Sequence, residues 1–119
     1  VGNATLPIDG ELTLAENVAD MGGLHVAQLA LAMRARNDTE ERLVAKYFGM
    51  SSQQLFFRAW ALNWCRPPPS NTLVEYLSLL ADVHAPPRFR INGPASRSAA
   101  FHTAFGCAAS VAAEECYVF

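Results

Sequence analysis

Glu16 and Asp20 stand four residues apart in the string Thr13-Leu14-Ala15-Glu16-Asn17-Val18-Ala19-Asp20, which Gly22-Gly23 closes. In a helix that spacing sets both carboxylates on one face, one turn apart. Two such acids can divide a task that one cannot perform. Glu16 can reach out to bind a metal ion while Asp20 holds another ligand's imidazole in position. A plainer reading uses the same residues: Thr13 and Glu16 as a capping box, with Asp20 on a solvated face. Spacing alone favours the box, because capping boxes are common and a metal needs more than one ligand.

The second group of chemical residues is Asp82-Val83-His84-Ala85-Pro86-Pro87-Arg88-Phe89-Arg90-Ile91-Asn92-Gly93. Prolines beside His84 predict a rigid, non-helical segment that fixes the direction of the imidazole. Arg90 is expected in a short strand, its side chain on the face of Arg88 and opposite Phe89. A histidine and an arginine held this way can donate hydrogen bonds to a carbonyl oxygen that gains charge during attack on a peptide. The plainer alternatives are a solvated loop histidine and an Arg90 paired with a carboxylate. His25 is followed by Val-Ala-Gln-Leu and His102 by Thr-Ala-Phe, so neither opens a His-Glu-x-x-His motif. Both are expected at a core edge or on the surface.

Helices must position these groups. A helical pattern runs from Thr13 to about Arg36, with Leu24, Gln28, Leu31 and intervening alanines along a narrow stripe. Gly22-Gly23 inside it is unfavourable by about 1 kcal/mol per glycine relative to alanine, which points to close approach by something else. Residues 37–41 are a polar connection, Glu40 to Lys46 a further helical piece, and Phe48-Gly49-Met50 a break. Ser51 or Ser52 caps a helix from Gln53 to Trp64, whose aromatics are expected in the core. After Pro67-Pro68-Pro69, Ser70 or Asn71 starts a helix through Leu73, Tyr76, Leu77 and Leu80. Residues 82–93 read as irregular or extended, and Ser96 or Ser98 starts a last helix through Phe101, Ala104 and Phe105. The tail Cys116-Tyr117-Val118-Phe119 suits a C-terminus tucked into a core. The expected fold is mainly α with short extended segments.

Composition narrows the function classes. At 119 residues, 51% hydrophobic and 17% charged, the chain is one domain or less and richer in apolar residues than a small free-standing domain needs. Some apolar faces are therefore expected to lie under other polypeptide. A net charge of −2 with no basic stripe argues against nucleic acid. The apolar stretches at 26–33 and 107–113 are too short or mixed to span a bilayer, so no membrane contact is expected from this segment. No signal peptide opens the chain, and Val1-Gly2-Asn3 reads as a cut inside a longer polypeptide. Cys65, Cys107 and Cys116 are odd in number and form no Cys-x-x-Cys pair, so at least one lacks an internal partner. Two glycosylation sequons, at Asn3 and Asn37, fit an oxidising secretory setting, extracellular or at the cell surface.

Four motifs in order carry a family resemblance. The string Glu-Asn-x-Ala-Asp-x-Gly-Gly at 16–23 resembles the third-ligand helix of the neprilysin and endothelin-converting-enzyme zinc metallopeptidases. Gln54-Leu55-Phe56-Phe57 with Trp64-Cys65 is similar to the family's Gln-Leu-Phe-Phe helix. Residues 82–93 resemble its Asp-x-His-Ser-Pro-x-x-Phe-Arg-x-x-Gly signature. Ala104-Phe105 with Cys107, and Cys116 to Phe119, are similar to its ending.

The resemblance implies the C-terminal helical portion of a thermolysin-like catalytic domain, with residues 1–119 as one segment of it. It implies that Glu16 completes a zinc site begun by two histidines upstream, and that Asp20 orients one of those histidines. It implies that His84 stabilises the tetrahedral intermediate and that Arg90 binds the substrate backbone beyond the scissile bond. Cys65, Cys107 and Cys116 then pair with upstream cysteines. The partners implied are the remainder of the peptidase and peptide substrates. Ala15, Ala85 and Phe119 depart from the family pattern without removing a ligand, and the segment 67–81 is longer and more apolar than usual. The absent His-Glu-x-x-His leaves two other readings open, an inactive relative with a binding or scaffolding role and a helical interaction module. By itself the fragment is expected to be inactive.

Overall fold

The structure is a computed structural model and describes residues 8–34, 37–66 and 72–107. Six helices follow in order: α1 (Leu14–Met33), α2 (Asp38–Phe48), α3 (Ser52–Asn63), α4 (Thr72–Ala81), α5 (Pro87–Arg97) and α6 (Ala99–Phe105). Among the described residues there is no strand, so the mainly helical class holds.

The start of α1 is set by Asp9, not by a capping box. The Asp9 carboxylate accepts the backbone N–H groups of Glu11 and Leu12, both at 3.0 Å. Buried Thr13 donates its hydroxyl to the Asp9 carbonyl at 2.8 Å and accepts from the Asn17 amide at 3.0 Å. With Thr13 occupied this way, it makes no side-chain cap bond and Glu16 is left for other partners.

Helix α2 starts at Asp38, so residues 38–41 are helical, which corrects the expected polar connection at 37–41, while the break at Gly49 falls where expected. Asn37 caps α2 by accepting from Glu40, and Gly49 closes the helix at φ 67°, where glycine has no steric penalty. Ser51, of the two serines, caps α3 in a reciprocal box with Gln54. The Gln54 amide also donates to the Ala104 carbonyl at 2.8 Å, tying α3 to α6. Phe57 is buried, its ring edge-on to Phe56 and Phe101 at 5.2 Å each. Ser98, not Ser96, caps α6. The Ser70 or Asn71 cap, the residues 67–69 and the C-terminal tail lie outside the described residues.

Helix α5 corrects the expectation of an irregular or extended segment at 82–93. Pro87 occupies the first helical position, where a missing N–H is not needed, and its fixed φ favours the helix. Pro94 sits inside α5, but only three residues before its end at Arg97. The helical register also separates Arg88 from Arg90. Two residues along a helix turn the direction by about 200°, whereas in a strand both would share a face. Arg88 is exposed over the Phe89 ring at 4.7 Å, and Arg90 turns inward to α1.

The close approach expected at the glycine pair is not seen at Gly23, where an added Cβ would meet nothing within 4 Å; Gly22 is buried. Among the described residues the buried hydrophobic ones are few: Leu24, Phe57, Leu79, Ala85 and Ala95. Large apolar side chains stand open on most helices, among them Met33, Tyr47, Leu62, Leu77 and Leu80.

Candidate active site

Helix α1 presents Glu16 and Asp20 toward α5 and the loop before it. At the base of the site, Arg90 donates from Nε to Asp20 Oδ2 at 2.5 Å and from Nη2 to Asp20 Oδ1 at 2.7 Å. The side chains are 12% and 9% exposed, so this is a largely dry bidentate pair, the geometry that suits a guanidinium best. The Asp20 bonds are the main reason the Arg90 pKa is raised, so the guanidinium is permanently charged. The Arg90 Nη2 also lies 3.9 Å from Glu16 Oε2. Its Cζ sits 4.0 Å from the centroid of the Trp64 ring, at the end of α3.

At the rim, His84 Nε2 lies 3.3 Å from Glu16 Oε2, and both side chains are open to solvent. Asp82 clasps the same histidine. Its Oδ1 accepts from the His84 backbone N–H at 2.9 Å and lies 2.9 Å from the ring Nδ1. The backbone bond, then the ring, holds the Asp82 carboxyl below the ordinary aspartate value of 3.8. An ionised Asp82 assigns the Nδ1 proton and turns Nε2 toward Glu16. Buried Ala85 anchors the loop directly after the histidine.

The structure therefore brings Glu16, Asp20, His84 and Arg90 into one cluster, although up to 74 positions of sequence separate them (90 − 16). The capping box that competes for Glu16 in the sequence does not form, and the expected alternative for Arg90, pairing with a carboxylate, is what occurs. Each Asp20 oxygen accepts one bond from Arg90 and keeps a second lone pair. Two members of the cluster go beyond the residues that sequence reasoning singles out. Asp82 is readable from its position two residues before His84, a spacing that favours a side-chain-to-backbone turn. Trp64 gives no such signal, since a tryptophan at helical spacing reads as core.

Other expected sites lie apart. Cys65 and Cys107 are exposed and not joined to each other. Asn37 uses its Oδ1 in the α2 cap, bonded to Glu40 at 2.9 Å. Cys116 and Asn3 fall outside the described residues. His102 Nε2 lies 2.8 Å from the Ser96 carbonyl, away from the cluster. Among the described residues no group of three or more His, Cys, Asp or Glu side chains is arranged to hold a metal ion, and no helix is long and apolar enough to cross a membrane.

Comparison with known proteins agrees with the motifs. The model of peptidase family M13 matches residues 2–115. Endothelin-converting enzyme-like 1 of Rattus norvegicus is 39% identical over 100 residues, which cover 84% of this chain and 12% of that protein. An endothelin-converting enzyme homolog of Locusta migratoria is 42% identical over 101 residues, 84% of this chain and 13% of its own. Endothelin-converting enzyme 1 of Rattus norvegicus is 38% identical over 103 residues, 85% and 13% respectively. The chain thus spans about an eighth of the length of these relatives (12–13%). No solved structure matches. A cluster of two acids, a clasped histidine and a largely buried arginine, inside a family match that covers nearly every residue, places this chain in peptidase family M13.

Proposed function

We propose that this chain is the C-terminal part of the catalytic domain of a zinc-dependent metalloendopeptidase. The observation that carries the reading is the convergence of Glu16, Asp20, His84 and Arg90 from α1, α5 and the loop between α4 and α5. The donor set fits zinc in part. Glu16 is half-open, and among the described residues the contacts of its carboxylate involve Oε2, which leaves Oε1 for a metal. One carboxylate does not hold zinc, and the remaining ligands are two histidines from upstream chain. The open apolar faces, Met33 and Leu77 among them, support a larger protein around this segment.

Bound zinc supplies Lewis-acid activation of water and of the peptide carbonyl. This chain's residues do the rest. Asp20, held by Arg90 yet with spare lone pairs, would orient the imidazole of one upstream histidine that ligates zinc. His84, fixed through Nδ1 by Asp82, directs Nε2 into the site, where in its protonated form it donates to a carbonyl oxygen that is gaining charge. Arg90 gives Nε and one Nη2 hydrogen to Asp20, and Nη1 makes no bond with a described residue. That amino group is the donor for a substrate carbonyl beyond the scissile bond. We assign the setting as extracellular or cell-surface, with Cys65, Cys107 and Cys116 paired to upstream cysteines and Asn3 and Asn37 as glycosylation sites.

The test uses the full-length protein and internally quenched peptides. Chelation abolishes cleavage and zinc restores it, while Arg90→Gln raises KM with zinc content unchanged. Cleavage indifferent to chelation, or the absence of any cleavage by a zinc-loaded protein, overturns the proposal.

A further inference from the structure

Two hydrogen bonds to Asp20 fix the Arg90 guanidinium only partly. They define its position along one edge, yet the planar group can still hinge about that edge, swinging Nη1 through an arc. Something must stop the swing on a face. Trp64 lies there, its ring centroid 4.0 Å from Arg90 Cζ, which is stacking distance for a cation over an indole. The ring is itself held. Trp64 caps the C-terminus of α3, its backbone N–H donating to the Ala61 carbonyl at 3.1 Å. Its indole meets Trp60 edge-on at 6.1 Å, and its Nε1 is buried with no hydrogen-bond partner among the described residues, so packing alone holds the ring. At the other end of the same helix, the Ser51–Gln54 box closes the first turn and the Gln54–Ala104 bond ties α3 to α6.

From this arrangement we infer that Trp64 is a positioning residue for Arg90: the indole face and the Asp20 carboxylate together fix the guanidinium plane, so that Nη1 points to one place. The inference rests on the assignment of Arg90 to substrate binding and adds a residue on a separate helix through which that binding is set. Because a backbone contact of this kind acts in the ground and transition states alike, its loss appears in KM more than in kcat.

The experiment is a double-mutant cycle in the full-length, zinc-loaded protein. Trp64→Leu and Trp64→Met remove the π face and keep apolar bulk, and the kinetics are read on whichever retains wild-type circular dichroism and zinc content. The expected result is a rise in KM of about 3- to 30-fold, the range of a part-buried cation–π contact, with kcat within about twofold. Trp64→Phe keeps a face and stays within about threefold of wild type. In an Arg90→Gln background the Trp64 change adds less than about twofold, since the group it positions is gone. Effects that multiply in the double mutant, or equal losses for Leu and Phe, overturn the inference while Arg90 keeps its assignment. An unchanged KM in Arg90→Gln alone overturns the assignment of Arg90 and this inference with it.

Discussion

Replacing Asp20 by alanine removes both acceptors from a guanidinium that is 12% exposed. Breaking a buried ion pair by deleting one partner typically costs about 3–5 kcal/mol, because the other charge is left without compensation. The lower end applies here. Arg90 keeps Glu16 at 3.9 Å and the Trp64 face at 4.0 Å, and both soften the loss. About 3 kcal/mol corresponds to roughly a hundredfold change in the local opening equilibrium that amide hydrogen exchange reads. The assay is exchange in the full-length protein, comparing amides of Asn17 to Leu24 and Phe89 to Gly93 with those of α2. Amides flanking the pair are expected to exchange about a hundredfold faster in Asp20→Ala, with α2 unchanged. The double variant Asp20→Ala/Arg90→Gln recovers part of the protection, because no orphaned charge remains. A change below about threefold near the pair, or an equal change in α2, refutes the view that this pair holds α1 to α5.

Other perturbations separate the remaining roles. His84→Ala lowers kcat for peptide hydrolysis by about 100- to 1000-fold with zinc content intact, as the loss of one transition-state donor does; a loss under about fivefold in steady-state assays contradicts the role. The Asp82 carboxyl, held below 3.8 by the His84 backbone N–H and ring, contributes stabilisation that is present above 3.8 and lost as pH falls through its lower folded value. The His84 clasp is therefore expected to survive acidification to pH 3.8 and open below it, and a carbon-13 NMR titration of Asp82 with a midpoint at or above 3.8 contradicts this. Ser51→Ala removes half of the α3 capping box and costs about 1 kcal/mol, seen as roughly fivefold faster exchange in the first turn of α3; unchanged exchange there argues against the box.

Much of this arrangement is legible in the residues. Periodicity and polar breaks locate α1, α3 and α6 because each combines a local cap or turn with a regular apolar face. The acids of α1 are legible for the same reason, since helical spacing alone fixes which face Glu16 and Asp20 share. Helix α5 is not. Its prolines, Gly93 and alternation of Arg88, Phe89 and Arg90 imitate an extended segment, and only the position of Pro87 at the first turn makes it helix-compatible. The spacing of Thr13 and Glu16 suits a capping box, but Asp9 takes the Thr13 hydroxyl first, and the box forms at Ser51 and Gln54 instead. The meeting of Asp20 with Arg90 and of Arg90 with Trp64 joins segments 70 and 26 residues apart (90 − 20, 90 − 64), and no local pattern encodes such contacts. Family motifs carry part of that information, since they place Asp20 and Arg90 in one site.

The most direct measurement is the zinc content of the purified full-length protein by mass spectrometry, wild type against Glu16→Gln, a change that keeps shape and removes the anionic donor. Near-stoichiometric zinc in the wild type and its loss after dialysis of the variant are the expected results. A Glu16→Gln protein that holds zinc as firmly as the wild type contradicts the assignment of this carboxylate as a metal ligand.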